Sequence, residues 1–156
     1  ILIGLVGSEM CIRDRYMVDT FSKETRSYVM SRIKCKDTKP EIIVRSYLFS
    51  RGLRFRKNDK RYPGSPDIVL PKYKTIVFVH GCFWHLHEGC KYARIPKSNV
   101  DYWEKKLYRN RERDKHNQKE LEKMGWNVIT VWECELKKDN VEQTLEDLYA
   151  QITSKL

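Results

Sequence analysis

The chain has 156 residues, 40% of them apolar, enough to build one hydrophobic core but not to live inside a bilayer. Lys and Arg outnumber Asp and Glu by 31 to 21; the resulting net charge of +10 favours a polyanionic partner, because counterion release from phosphates drives sequence-independent binding. A basic membrane-surface protein is disfavoured, since no long Lys/Arg-rich helix carries a large apolar face, whereas a merely solubilising basic surface stays open on charge alone.

Ile1–Tyr16 does not read like the rest. Its apolar start, Ile1–Gly7, is too short to span a membrane and lacks the basic opening of a signal peptide. Met17 opens a segment of ordinary polar character. Residues 1–16 are therefore read as a non-native or disordered extension, and 17–156 as one domain, with no repeat or linker dividing it.

Ser22–Ile33 is moderately helical. Thr38-Lys39-Pro40-Glu41 reads as a capping box with proline in the first turn. It opens a helix with Ile43, Val44, Tyr47 and Leu48 on one face and Gly52 as its stop. Leu53–Lys57 alternates as a strand does. The turn RYPGSP at 61–66 leads to a short strand, 67–70. A second turn, Pro71–Lys74, leads to a buried strand, 75–79, rich in β-branched residues. Residues 80–98 form an irregular segment rich in Cys, His and aromatics. Ser98 or Asn99 caps a long polar helix running to about Met124, with Gly125 beyond it. Trp126–Trp132 is a strand. Asp139-Asn140-Val141-Glu142 reads as a second capping box, opening a helix with Val141, Leu145, Leu148, Tyr149 and Ile152 on one side. This order predicts an α/β fold: a mixed sheet flanked by helices, with the strand after the long helix parallel to an earlier one.

The five cysteines are Cys11, Cys35, Cys82, Cys90 and Cys134. An odd count in a chain of this size, with histidines among them, points to metal in a reducing cytoplasm rather than to disulfides. The densest signal is HGCFWHLHEGC, residues 80–90. Cys82, His87, Cys90 and the distant Cys134 supply a Cys₃His set suited to tetrahedral Zn²⁺. A full set of four leaves no open position, so such a zinc would be structural, clipping an irregular loop to the sheet end. Buried thiols beside a chance histidine are the alternative that spacing leaves open.

With His87 assigned, His80 and His85 remain. Asp67 begins one strand and His80 ends the next, so the two can meet at a sheet edge. A carboxylate that holds Mg²⁺ beside an imidazole that takes a proton from water suits metal-dependent hydrolysis. Any one of these residues alone reads equally as a surface carboxylate or a satisfied histidine. Phe83-Trp84 reads either as loop packing or as an apolar wedge that enters a base step. Lys105, Lys106, Arg109, Arg111, Arg113 and Lys115 crowd the long helix, a solvated face on which some side chains can meet phosphates, and Asp114 interrupts them.

PGSPD (63–67), VFVHGCFWH (77–85), NRERD (110–114) and GWNVITVWEC (125–134) resemble the motifs of the very-short-patch-repair (Vsr) DNA mismatch endonucleases, in order and spacing, from about Thr25 to Lys138. The resemblance implies a restriction-endonuclease-like fold and Mg²⁺-dependent nicking 5′ to the thymine of a T:G mismatch left by deamination of 5-methylcytosine. It implies Asp67 as the metal-binding aspartate, Val79 as a backbone carbonyl ligand, and His85 as the histidine that activates water. It further implies His80 and Asp114 as supporting groups, Glu41 as an acid orienting metal-bound water, and Cys82, His87, Cys90 and Cys134 as ligands of structural zinc. Met30, Phe83 and Trp84 correspond to residues that wedge into the duplex. The expected partners are mismatched double-stranded DNA and, functionally, a cytosine methyltransferase; the expected setting is a monomer in the bacterial cytoplasm, at the nucleoid when bound. Phe78 and His80 stand where generic restriction-type sites carry an acid and a lysine. Val79 stands where some members have threonine. The zinc loop is one residue longer than in some relatives, which bears on the division of roles between His85 and His87. Two other classes fit parts of the pattern: a zinc-stabilised, non-cutting binder of distorted DNA, and an RNA-directed protein.

Overall fold

The computed structural model describes residues 22–154. The reading of Ile1–Tyr16 lies outside them. Helix α1 (Lys23–Ser31) opens at Ser22, whose hydroxyl accepts the Thr25 N–H at 3.2 Å. Helix α2 (Lys39–Ser50) follows, with Pro40 in its first turn. The capping box does not form as expected. The Thr38 hydroxyl donates to Glu41 Oε1 at 2.8 Å instead of accepting a backbone N–H, and Glu41 Oε2 accepts the N–H of Asp37 at 3.0 Å. The acid thus reaches back one residue further than the motif prescribes, and takes the hydroxyl with it.

Gly52, at φ +83°, ends α2 as the sequence suggests, and the Leu53 N–H closes onto the Leu48 carbonyl at 3.0 Å. That bond draws Leu53 into the helix exit, which is why β1 shrinks to Arg56–Lys57. Strands β2 (Ile68–Leu70) and β3 (Thr75–His80) form the expected hairpin over a short 3₁₀ turn, Pro71–Tyr73. Helix α3 (Val100–Lys123) then carries the chain to β4 (Asn127–Trp132). Asn99 precedes α3 at φ +51° and makes no capping bond through its side chain. A second 3₁₀ turn, Glu133–Leu136, leads to α4 (Val141–Thr153). The second capping box is also absent: α4 opens at Asn140 without a side-chain cap bond, and the Lys137 carbonyl accepts the N–H groups of both Asn140 and Val141 at 2.9 Å.

The sheet order is β1-β2-β3-β4, antiparallel between the first three and parallel between β3 and β4. This is the mixed sheet that the order of elements predicts. Alternation sends Ile68, Leu70, Val77 and Val79 to one face, where they join Val44 and Leu48 of α2 and Leu145, Leu148 and Ile152 of α4. The opposite face, with Val69, Ile76 and Phe78, packs against Leu121 of α3. The core therefore lies in two layers on either side of the sheet, and the C-terminal ends of the parallel strands β3 and β4 are left to carry functional side chains. Among the described residues, no helix is long and apolar enough to cross a membrane.

One glycine has a defined task. Gly64, in the PGSPD turn, sits at φ +79°, and a Cβ there would come within 2.9 Å of the Asn117 side chain on α3. The turn before Asp67 packs against the long helix because nothing larger stands at position 64.

Candidate active site and metal centre

Register places the site. His80 is paired with Trp132 at the ends of β3 and β4, and the next residue after each strand begins a tight turn. The loop after β3 is less irregular than its composition suggests. His85 N–H donates to the Gly81 carbonyl at 3.2 Å, His87 N–H to Cys82 at 3.0 Å and Cys90 N–H to His87 at 3.1 Å. These turns fold residues 81–90 back on themselves and deal their side chains alternately to two clusters.

The first cluster holds Cys82, His87, Cys90 and Cys134, whose ligand atoms all lie within 4.8 Å of one another. His87 Nδ1 stands 3.6 Å from Cys82 Sγ and 3.4 Å from Cys134 Sγ. A tetrahedron built on zinc–nitrogen and zinc–sulfur bonds has edges of about 3.3–3.8 Å, so the donor set fits that ion. Burial pushes the Cys82 and Cys134 thiols above the ordinary thiol value; the neighbouring Cys134 and Cys90 raise Cys82 further, whereas for Cys134 the Cys82 hydrogen bond opposes the rise and Cys90 adds to it. Buried thiols of this kind ionise when a cation takes the proton's place. The imidazole of His87 also stacks on the Trp132 indole, with centroids 4.1 Å apart and planes 2° apart.

The second cluster holds His80, His85 and Asp114, whose ligand atoms also lie within 4.8 Å of one another, and Asp67 stands at the same end of the sheet. Val79 donates its N–H to Asp67 Oδ2 at 2.7 Å, fixing the carboxylate against the edge of β3. Burial raises the Asp67 carboxyl to about 6; the Val79 bond opposes the rise, and the charge of nearby Glu41 adds to it. An acid desolvated in this way beside a second acid is a hard oxygen site that gains from a divalent cation. His85 Nδ1 hydrogen-bonds Asp114 Oδ2, reaching across to α3. His80 lies beneath His85 with rings stacked 3.8 Å apart and 3° from parallel, and its edge meets Trp132 at 5.4 Å. Burial first, and the charge of His85 second, depress His80 to about 3, so this ring is neutral at ordinary pH.

Glu41 joins from α2. It is 4% exposed, and Arg45, 8% exposed, donates from Nη2 to Glu41 Oε2 at 2.9 Å. The structure therefore gathers Asp67, Val79, His80, His85, Asp114 and Glu41 at one end of the sheet. Met30 lies half-buried near the end of α1, a helix that carries no buried residue.

Phe83 and Trp84 are half-buried and meet edge-on at 5.1 Å. Both also meet Trp103 of α3, at 5.4 and 6.0 Å. Lys106 stands 5.4 Å from the Trp84 ring and 5.6 Å from that of Trp103. The Asn110 side chain donates to the Trp84 carbonyl at 3.1 Å. Trp103, Lys106, Asn110 and Asp114 thus form one stripe of α3 facing the loop. Trp103, Trp132 and Arg45 were not singled out in the sequence. The spacing of Trp103 from Lys106, Asn110 and Asp114 on a helix was the available signal for the first.

The family model described as "DNA mismatch endonuclease Vsr" matches residues 18–91. The chain is 60% identical over 121 residues to the type II nicking enzyme V.NmeAIP of Neisseria meningitidis, covering 78% of this chain and 86% of that protein. It is 49% identical over 120 residues to the type II nicking enzyme V.XorIIP of Xanthomonas oryzae, covering 77% and 88%. It is 40% identical over 121 residues to the DNA mismatch endonuclease Vsr of Escherichia coli, covering 78% and 77%. The chain belongs to the Vsr family of DNA mismatch endonucleases. It is an enzyme that hydrolyses DNA phosphodiesters, on a mixed α/β fold of the restriction-endonuclease-like kind. Membership decides for the enzyme over a non-cutting binder, makes DNA the substrate, and implies use of a divalent metal.

Proposed function

We propose that this Vsr-family enzyme nicks one strand 5′ to the thymine of a T:G mismatch, in the repair of deaminated 5-methylcytosine. The observation that carries the reading is the junction of a desolvated acid with a paired imidazole at one sheet end: Asp67 held by Val79, and His85 held by Asp114 and backed by His80. Asp67 and the Val79 carbonyl would hold Mg²⁺, with Glu41 beside them. Mg²⁺ bound there supplies positive charge to the phosphate in the transition state. His85 takes the proton of the attacking water at Nε2. Its Nδ1–H is fixed on Asp114, which selects the tautomer and stabilises the imidazolium that forms. His80 remains neutral below it, so the stacked pair carries a single charge. Water's oxygen bonds to phosphorus as the ester oxygen leaves with the pair of electrons from the broken bond.

Cys82, His87, Cys90 and Cys134 would hold Zn²⁺ in a structural site. Phe83 and Trp84, with Trp103 against both, form the wedge that opens the mismatched step, and Met30 enters from the other groove. A mispaired step costs less to unstack, so the wedge contributes selectivity. The α3 cations position the phosphates. Residues 17–156 act as one monomeric unit in the cytoplasm, with a partner cytosine methyltransferase setting which flanking sequences need repair.

The test is a nicking assay on T:G, T:A and C:G duplexes of one sequence, across varied flanks, with and without Mg²⁺. A single cut 5′ to the mispaired thymine, dependent on Mg²⁺, is expected. Equal cutting of all three duplexes, or cutting in the presence of a chelator, would overturn the reading.

A further inference from the structure

Arg45 is a buried cation that neither the sequence motifs nor the proposed chemistry uses. Its guanidinium makes four contacts with groups around the site. Nη1 pairs with Asp37 Oδ1. Nη2 donates to Glu41 Oε2 at 2.9 Å, and reaches Asn58 Oδ1 at 3.4 Å and the Asp67 carbonyl at 3.5 Å. Asn58, at φ +48°, donates its own N–H to that same Asp67 carbonyl at 3.3 Å. Among the described residues, the Arg45 Nε is buried with no partner.

Two features separate this from an ordinary ion pair. An arginine kept inside a fold is weak evidence for stability, because apolar replacements often serve as well. Here the arginine also leaves one of its own donors unsatisfied, which a purely stabilising choice would avoid. What the planar fork does achieve is geometric. It spans Asp37 on one arm and Glu41 on the other, a reach that a lysine point charge does not reproduce. Glu41 Oε2 is held by Arg45 and by the Asp37 N–H, and Oε1 by the Thr38 hydroxyl.

We propose that Arg45 is a positioning residue of the nuclease site: it fixes the Glu41 carboxylate relative to the Asp67 backbone, and through Asp37 ties both to the segment that follows α1. The inference rests on the roles given to Asp67 and Glu41 above. It extends them by making the placement of Glu41 depend on a residue to which the proposed chemistry gives no part. The Asp37 arm also links the site to the chain that leads from Met30.

The experiment is single-turnover nicking, in saturating enzyme and Mg²⁺, of whichever duplex the wild-type protein cuts fastest. Failure of the T:G reading therefore shows in the choice of duplex, and failure of this one shows in the variants. Arg45→Lys is expected to lower the rate constant about tenfold, at full reaction amplitude and with duplex affinity within about twofold. A defect of folding alone would lower the amplitude and spare the rate constant. In a Glu41→Gln background, which keeps the shape but replaces one acceptor oxygen by a donor and removes the charge, Arg45→Lys should add no more than about twofold. An unchanged rate constant in Arg45→Lys, or the same slowing in both backgrounds, overturns the proposal. If Arg45→Lys fails to melt cooperatively, Thr38→Val, which removes the side-chain donor on the other Glu41 oxygen, takes its place. About threefold slowing is then expected, with the same two outcomes against.

Discussion

Two clusters are drawn from one short loop, and they are built on opposite principles. Cys82, His87 and Cys90 turn toward Cys134 and close a four-ligand set of soft donors. His80 and His85 turn the other way, toward Asp114, at the sheet end where Asp67 is held, and make an arrangement of oxygen and imidazole. The first set is complete within the protein, so its work is to hold. The second offers imidazole and carboxylate groups without closing a four-ligand set, which suits the reactive role proposed for it. Trp132 stands between them, stacked on His87 and edge-on to His80. The difference teaches that, where two histidine-bearing groups share a loop, the company each histidine keeps assigns its role. Sulfur neighbours mark His87, and carboxylate neighbours mark His85.

The sharpest way to break this contrast is at Asp67. Asp67→Ala is expected to lower nicking by about a thousandfold or more while mismatch affinity survives, read by cleavage and gel shift side by side. Substantial cutting by that variant would remove Asp67 from the chemistry. His85→Ala should cost about 10²–10⁴-fold in rate, and Asp114→Asn less, with zinc content unchanged in both. Loss of bound zinc on replacing His85 would show that the two histidines had been assigned the wrong way round. Cys134→Ser tests the other cluster. It should release about one equivalent of zinc and destabilise the fold by roughly 3 kcal/mol or more, read by metal analysis and melting together. Full stability with no metal bound would show that the thiols simply pack.

The smallest effect runs in the opposite direction. The Asp67 carboxyl titrates near 6 in the fold, against an ordinary value near 4, so ionising it costs the folded state. That cost is absent below pH 4, grows as pH rises, and is complete above pH 6. Asn carries no charge to bury. Metal-free Asp67→Asn should therefore be more stable than the wild type above pH 6, by on the order of 1–3 kcal/mol, with the gap closing as pH falls through 4. A gap of the same size at pH 4 and pH 8 would trace the effect to something other than ionisation.

Local patterns carried the sequence reading where one element decides its own form. The β-branched run at 75–79, the glycines at 52 and 125 and the apolar stripe of α4 all recur in the structure. The Cys₃His set was legible because three of its members lie within nine residues of each other and chemistry limits what they can do. Both capping boxes failed, for different reasons: at α2 the Asp37 N–H took the carboxylate that the motif assigns to the Thr38 N–H, and at α4 the helix opens at Asn140, one residue beyond the position the motif needs. The pairing of His85 with Asp114 spans 29 residues, and Asp114 was placed through resemblance alone. Trp103, Trp132 and Arg45 escaped because their importance depends on what stands opposite them, and strand register and helix rotation decide that. Nothing in the residue itself marks it.

The parallel strand β4 delivers Cys134 and Trp132 to the loop long after the loop is made: His87 meets Cys134 across 47 residues. Asp67, His80, His85 and Asp114 all precede in the chain the Cys134 sulfur that meets the loop. The loop can therefore be clipped only once β4 has come to lie parallel beside β3, which couples the closing of that loop to the completion of the sheet.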